Sequence, residues 1–95
     1  MKMSDIPLDV VKNHMNVYFD EDDYLIEYII MPGAISHVLS HCKRTEENLE
    51  KYPDVNLAYL NLCAYLYDNR SVEVSSTEIN YILNQTLGMH SNWVV

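Results

Sequence analysis

The stretch Leu57 to Arg70, LAYLNLCAYLYDNR, constrains the fold more than any other part of the chain. Leu57, Ala58, Tyr59, Leu60, Leu62, Cys63, Ala64, Tyr65, Leu66 and Tyr67 leave almost no polar face, with Asn61 the only interruption. A helix that is apolar nearly all round is one that other elements cover. The run is longer than a typical strand and holds no β-branched residue, so a buried central helix over about 54–70 is predicted. Pro53 or Asp54 opens it, and Asp68, Asn69 and Arg70 form a polar stop.

The remaining segments must supply the cover. A chain of 95 residues makes one domain with a single core. Its 2 Gly and 3 Pro leave little material for sheet turns or phosphate-cradling loops. The predicted class is therefore all-α: a small bundle of four to five helices around the central one, with a short extended loop or small hairpin before the last. Helices are expected at about 5–15, 21–43, 54–70 and 76–88, followed by an apolar tail at 89–95.

Leu8, Val11 and Met15 have helical spacing, with Ser4 or Asp5 as cap and Pro7 in the first turn. Asp20, Glu21, Asp22 and Asp23 follow; a calcium loop would need a central glycine and a distal Glu, and Tyr24, Leu25 and Ile26 stand there instead. The better reading is a capping box, with Asp20 as cap, Asp23 completing it and Phe19 stapled onto Tyr24. The next helix has Leu25, Tyr28, Ile29, Pro32, Ile35, Leu39 and Cys42 on one stripe and Ile26, Ile30 and Val38 on a second. Pro32 and Gly33 are expected to kink or divide it near Met31. Thr45 to Tyr52 reads as an acidic link with at most a short helical turn. Ser71 to Ser75 alternates polar and apolar, and Ser75 to Glu78 forms a capping box for a last helix facing the core with Ile79, Ile82, Leu83 and Leu87 and stopping at Gly88.

Lys plus Arg number 6 against 14 Asp plus Glu, a formal net charge of −8, which argues against gripping nucleic acid through its phosphates. Cys42 and Cys63 sit within apolar helical patterns and are expected as a reduced, intracellular pair. No signal peptide and no membrane-crossing run is read, so a soluble cytoplasmic chain is expected, with no membrane contact. His37 and His41 lie four apart beside Cys42, but two side chains do not close a zinc site, and surface histidines are the simpler reading. No catalytic constellation, cofactor motif or metal site is found. The unusual feature is 8 Tyr and 1 Trp, residue types favoured at interfaces, together with an apolar end at Trp93, Val94 and Val95.

Three signatures stand in order along the chain: Val10, Val11 and Lys12 in an early helix; Asp20, Asp22 and Asp23 before Tyr24 and Leu25; and an apolar helix closing in Tyr67, Asp68, Asn69 and Arg70. With them the chain resembles the head-tail connector (head-completion adaptor) family of tailed double-stranded DNA bacteriophages and prophages, over residues 5 to about 90. The resemblance implies a non-enzymatic virion protein made in the host cytoplasm. Copies of it, about a dozen, would form a ring beneath the portal protein and receive a stopper or tail-completion protein, with DNA only a non-specific passenger. Ser71, Val72, Glu73, Val74, Trp93, Val94 and Val95 are the candidate partner contacts. The alternative is a small acidic helical regulator of phage or host origin that binds a partner's basic groove, which predicts a monomer or dimer with salt-sensitive binding. Arg70 is expected to hold a carbonyl at its own helix end or a carboxylate on a neighbouring element.

Overall fold

The computed structural model describes residues 2–50, 52–72 and 74–87. A 3-10 turn, Met3–Asp5, leads into α1, Leu8–Met15. Next comes one continuous rod, α2, built from a first turn Asp23–Leu25, a π-helical turn Ile26–Ile30 and an α-helical part Met31–Cys42. The bundle is completed by the short α3, Glu46–Leu49, the long α4, Pro53–Asp68, and α5, Ser76–Leu87. Helix α4 is the hub: α1, α2, α5 and the N-terminal turn all pack on it. The fold is all-α, with no strand among the described residues; the expected loop or hairpin before α5 is a turn whose Val72 amide donates to the Asn69 carbonyl.

Local signals explain most boundaries. Ile6, preceding a proline, is held extended at φ −77° and ψ 119°, which separates the first turn from α1. Pro7 itself therefore stands at the cap position of α1, and Ser4 and Asp5, the expected caps, belong to the preceding turn. Asn16 ends α1 in the left-handed region at φ 60°, a role its short polar side chain tolerates. Thr45 caps α3 by accepting the Asn48 amide at 3.3 Å. Ser75 Oγ likewise accepts the Glu78 amide at 3.2 Å, one half of the expected box, and the Glu78 carboxylate accepts the Tyr65 hydroxyl at 2.9 Å.

The rod α2 departs from expectation in two ways. Of the expected kink or division near Met31 there is no division: the chain stays helical through Pro32 and Gly33, and the irregularity is a π turn, Ile26–Ile30, that ends at Met31. Pro32 lacks an amide hydrogen and its ring crowds the carbonyl four residues back. The preceding π turn, in which the Met31 amide reaches back to Ile26, widens the helix where that crowding falls. The second difference is the buried stripe, which runs Ile26, Ile30, Ala34, Val38, Cys42, while Tyr28 and Ile29 are 59% and 57% exposed. A strict four-residue repeat drifts by about 40° per step on an ideal α-helix, and the extra residue in the π turn takes up part of that drift. Leu25, Ile35 and Leu39 only flank the core.

Helix α4 buries Val55, Ala58, Tyr59, Leu62, Cys63 and Tyr67, whereas Leu57 is 48% exposed, so the covered face is narrower than its apolarity suggested. Ile79, Leu83 and Leu87 of α5 pack against it, with Ile82 at the edge. Val11, Met3, Ile6 and Leu49 close the remaining sides. Asn61 is not an idle interruption. Its Oδ1 lies 3.0 Å from His14 Nε2 on α1, and its Nδ2 donates to Thr86 Oγ1 on α5 at 3.4 Å, so one amide bridges three helices.

Candidate functional site

The acidic turn, α1 and the closing segment of α4 converge on one polar junction. Lys12 Nζ lies 2.6 Å from Asp23 Oδ1 and 3.1 Å from Asp20 Oδ1, with the Lys12 side chain only 13% exposed. Asp23 is the principal reason that the Lys12 pKa is raised above its ordinary value, although partial burial works against the charged form. Asp22, between them in sequence, turns to α4: its Oδ2 accepts the Tyr67 hydroxyl in a short hydrogen bond and stands 4.0 Å from Arg70 Nη2. Bonding to that carboxylate raises the Tyr67 pKa, because a phenolate would lose the donated proton and face a second negative charge.

Arg70 folds back over its own helix end. Its Nη1 donates to the Tyr67 carbonyl at 2.6 Å, and its guanidinium carbon sits 4.1 Å from the centre of the Tyr67 ring. This satisfies one of the terminal carbonyls that α4 would otherwise leave open and adds a cation–π contact. The Arg70 side chain is 43% exposed, so its pair with Asp22 adds little stability. The residue orients the turn that follows more than it holds the core.

Thus Asp20, Asp22, Asp23, Tyr67 and Arg70 come together with Lys12, and Tyr24 does not. The expected capping box is absent: the residue at the cap position is Asp22, no side chain caps the helix, and Asp20 contributes only its carbonyl to the Asp23 amide. A lysine ammonium offers these carboxylates stronger, charge-assisted bonds than a neutral amide does. The Phe19 staple is also missing, because Phe19 is 47% exposed and Tyr24, 72% exposed, instead packs its ring 4.9 Å from that of Tyr28. In the turn after α4, Ser71 and Val72 are exposed and Val74 is half-buried against the core. Glu73, Gly88, Trp93, Val94 and Val95 lie outside the described residues.

A second polar feature joins His37 and His41, which stood out in the sequence, to side chains of α5, which did not. A cleft of about 380 Å³ opens between the C-terminal end of α2 and helix α5, lined by His37, His41 and Lys43 on one side and Ser76, Asn80 and Asn84 on the other. His41 Nδ1 lies 3.1 Å from Asn80 Oδ1, so one of the two histidines is engaged with an amide. Among the described residues no three His, Cys, Asp or Glu side chains are grouped as a metal site would require. Cys42 and Cys63 are both buried thiols. Burial pushes the Cys42 pKa up to about 11 and that of Cys63 up to about 12.

The described residues form a small helical bundle with a polar junction made of structural contacts and a surface that exposes Tyr18, Tyr24, Tyr28 and Tyr81, a residue type favoured at interfaces. The family model for phage gp6-like head-tail connector proteins matches residues 5–93, and the chain belongs to that family of structural phage proteins. Neither the curated proteins nor the solved structures gave a match. No helix of the described residues is long and apolar enough to cross a membrane.

Proposed function

We propose that copies of this chain assemble into a ring beneath the portal after DNA packaging, extend the DNA channel and offer the docking surface for a stopper or tail-completion protein. The observation that carries this reading is the family match over residues 5–93. The surface supports it, since Tyr18, Tyr24, Tyr28, Ile29, Val72 and Tyr81 are all more than half exposed, more apolar surface than an isolated bundle has use for. The exposed Ser71 and Val72 and the 89–95 segment are the contacts assigned to portal or tail proteins. A net charge of −8 suits a channel wall, because carboxylates facing the lumen repel the phosphates of passing DNA and let it slide. The protein then travels from host cytoplasm to the head-tail interface of the virion.

Co-sedimentation with portal-bearing, DNA-filled heads tests this directly. Stoichiometric binding to such heads, absent with heads lacking the portal, is expected. A chain that stays in the supernatant at every concentration overturns the adaptor reading. Carboxylates found outside the lumen of the assembled ring would overturn the sliding argument alone.

A further inference from the structure

The two ends of α2 have opposite character. Around its N-terminal end Asp20 has a side chain 92% exposed, Glu21 and Glu27 are exposed, and Tyr24 and Tyr28 pack at a tilt of 44° as an exposed aromatic pair. Around its C-terminal end lies the cleft holding His37, His41 and Lys43, with no carboxylate in its lining. Among the described residues none pairs with Lys43, Glu21 or Glu27. Most other described cations are already engaged: Lys12 with Asp20 and Asp23, Lys2 with Glu47, and Arg70 with Asp22.

The geometry points to a head-to-tail contact between copies: the acidic, aromatic N-terminal end of α2 from one copy docks into the His37–His41–Lys43 cleft of the next. This rests on the ring reading above and names its subunit contact. Copies that each carry −8 repel one another, so a stable contact must set the scarce cations against carboxylates. Among the described residues Lys43 in the cleft stands in no ion pair, and neither do Glu21 and Glu27 at the acidic end. Glu27 and Lys43 are sixteen residues apart, about 24 Å along a helix of 1.5 Å per residue, so a chain cannot pair one with the other. Two complementary patches at opposite ends of a rigid element make a heterologous contact, which closes into a ring or runs on as a filament. The cleft volume of about 380 Å³ is on the scale that accepts an anchoring side chain, and a tyrosine ring flanked by glutamates fits a pocket lined by imidazoles, amides and an ammonium.

Charge reversal at each end tests the pairing, with assembly of the full chain followed by sedimentation velocity and native mass spectrometry, alone and on portal-bearing heads. Lys43→Glu, and separately Glu21→Lys with Glu27→Lys, are expected to weaken self-association about tenfold or more, and combining the reversals in one chain to recover most of it. The double lysine change is the sharper arm: two substitutions worth +2 each bring the net charge from −8 to −4, which by general repulsion should favour association. All three sites are exposed, and unchanged helical circular dichroism would show that the fold is intact. Wild-type protein that assembles while either reversal assembles equally well overturns the pairing and leaves the ring standing. Wild-type protein that never self-associates, even on heads, overturns the ring and the pairing together.

Discussion

Two tyrosines on α4, eight residues apart, have opposite fates. Tyr59 is fully buried in the middle of the helix, and its hydroxyl makes no well-formed hydrogen bond, with only the weakly polar Cys63 thiol beside it. Tyr67 is 7% exposed at the end of the same helix, and its hydroxyl is bonded to Asp22, 45 positions away in sequence. Burial raises the Tyr59 pKa, whereas the carboxylate is the first cause at Tyr67. The upper half of α4 is held by apolar volume and tolerates an orphaned polar atom; the lower half is held by directed polar contacts. The first sets stability, and the second sets where the neighbouring chain segments go.

The largest expected effect lies in the apolar half. Leu62→Ala, at a position with no exposure, should lower unfolding stability by about 2–5 kcal/mol in denaturant titration. A smaller loss would show that the helices around α4 collapse into the space. The paired test is Tyr→Phe at both sites. Tyr67→Phe should cost about 1–2 kcal/mol by leaving Asp22 short of a donor, while Tyr59→Phe should be neutral or stabilising by up to about 1 kcal/mol because it removes an unsatisfied hydroxyl. Equal effects at the two positions would erase the distinction.

Arg70→Ala should shift the melting temperature by no more than a few degrees, consistent with an exposed ion pair, yet reduce assembly on portal-bearing heads by altering the turn at Ser71 and Val72. Equal loss of stability and of assembly would make Arg70 structural only. The smallest effect concerns the thiols. Both have folded pKa values raised, from 9.0 to about 11 for Cys42 and about 12 for Cys63, so above pH 9 the unfolded chain loses these protons first. Stability should therefore be unaffected by the thiols below pH 9 and fall as pH rises from there towards 11. Alkylation at pH 8 should be slow in the folded protein and fast in denaturant; rapid labelling of the native state would show that the core opens easily.

Much of the fold can be read from individual residues. Apolar continuity marked α4, Ser75 marked the start of α5, and the scarcity of glycine argued against sheet. The junction was only half legible. Its residues stand out in the sequence, but their use does not: the acidic turn reads locally as a cap, and only the proximity of Lys12 and Tyr67 turns those carboxylates elsewhere. Of the cleft only one wall gave a signal, His37 and His41 at four-residue spacing; the other, Ser76 to Asn84, is more than thirty positions away.

The sequence by itself determined the helical class, the central place of Leu57 to Arg70 and the net negative charge, because propensity, apolar periodicity and composition act within a few residues along the chain. Tertiary structure decided which stripe of α2 faces inward, that a π turn carries the helix past Pro32, and what Asp20, Asp22 and Asp23 hold. Those outcomes turn on competition between a local bond and a distant one. The distant charged or hydroxyl partner prevails where packing against α4 has already brought it within reach.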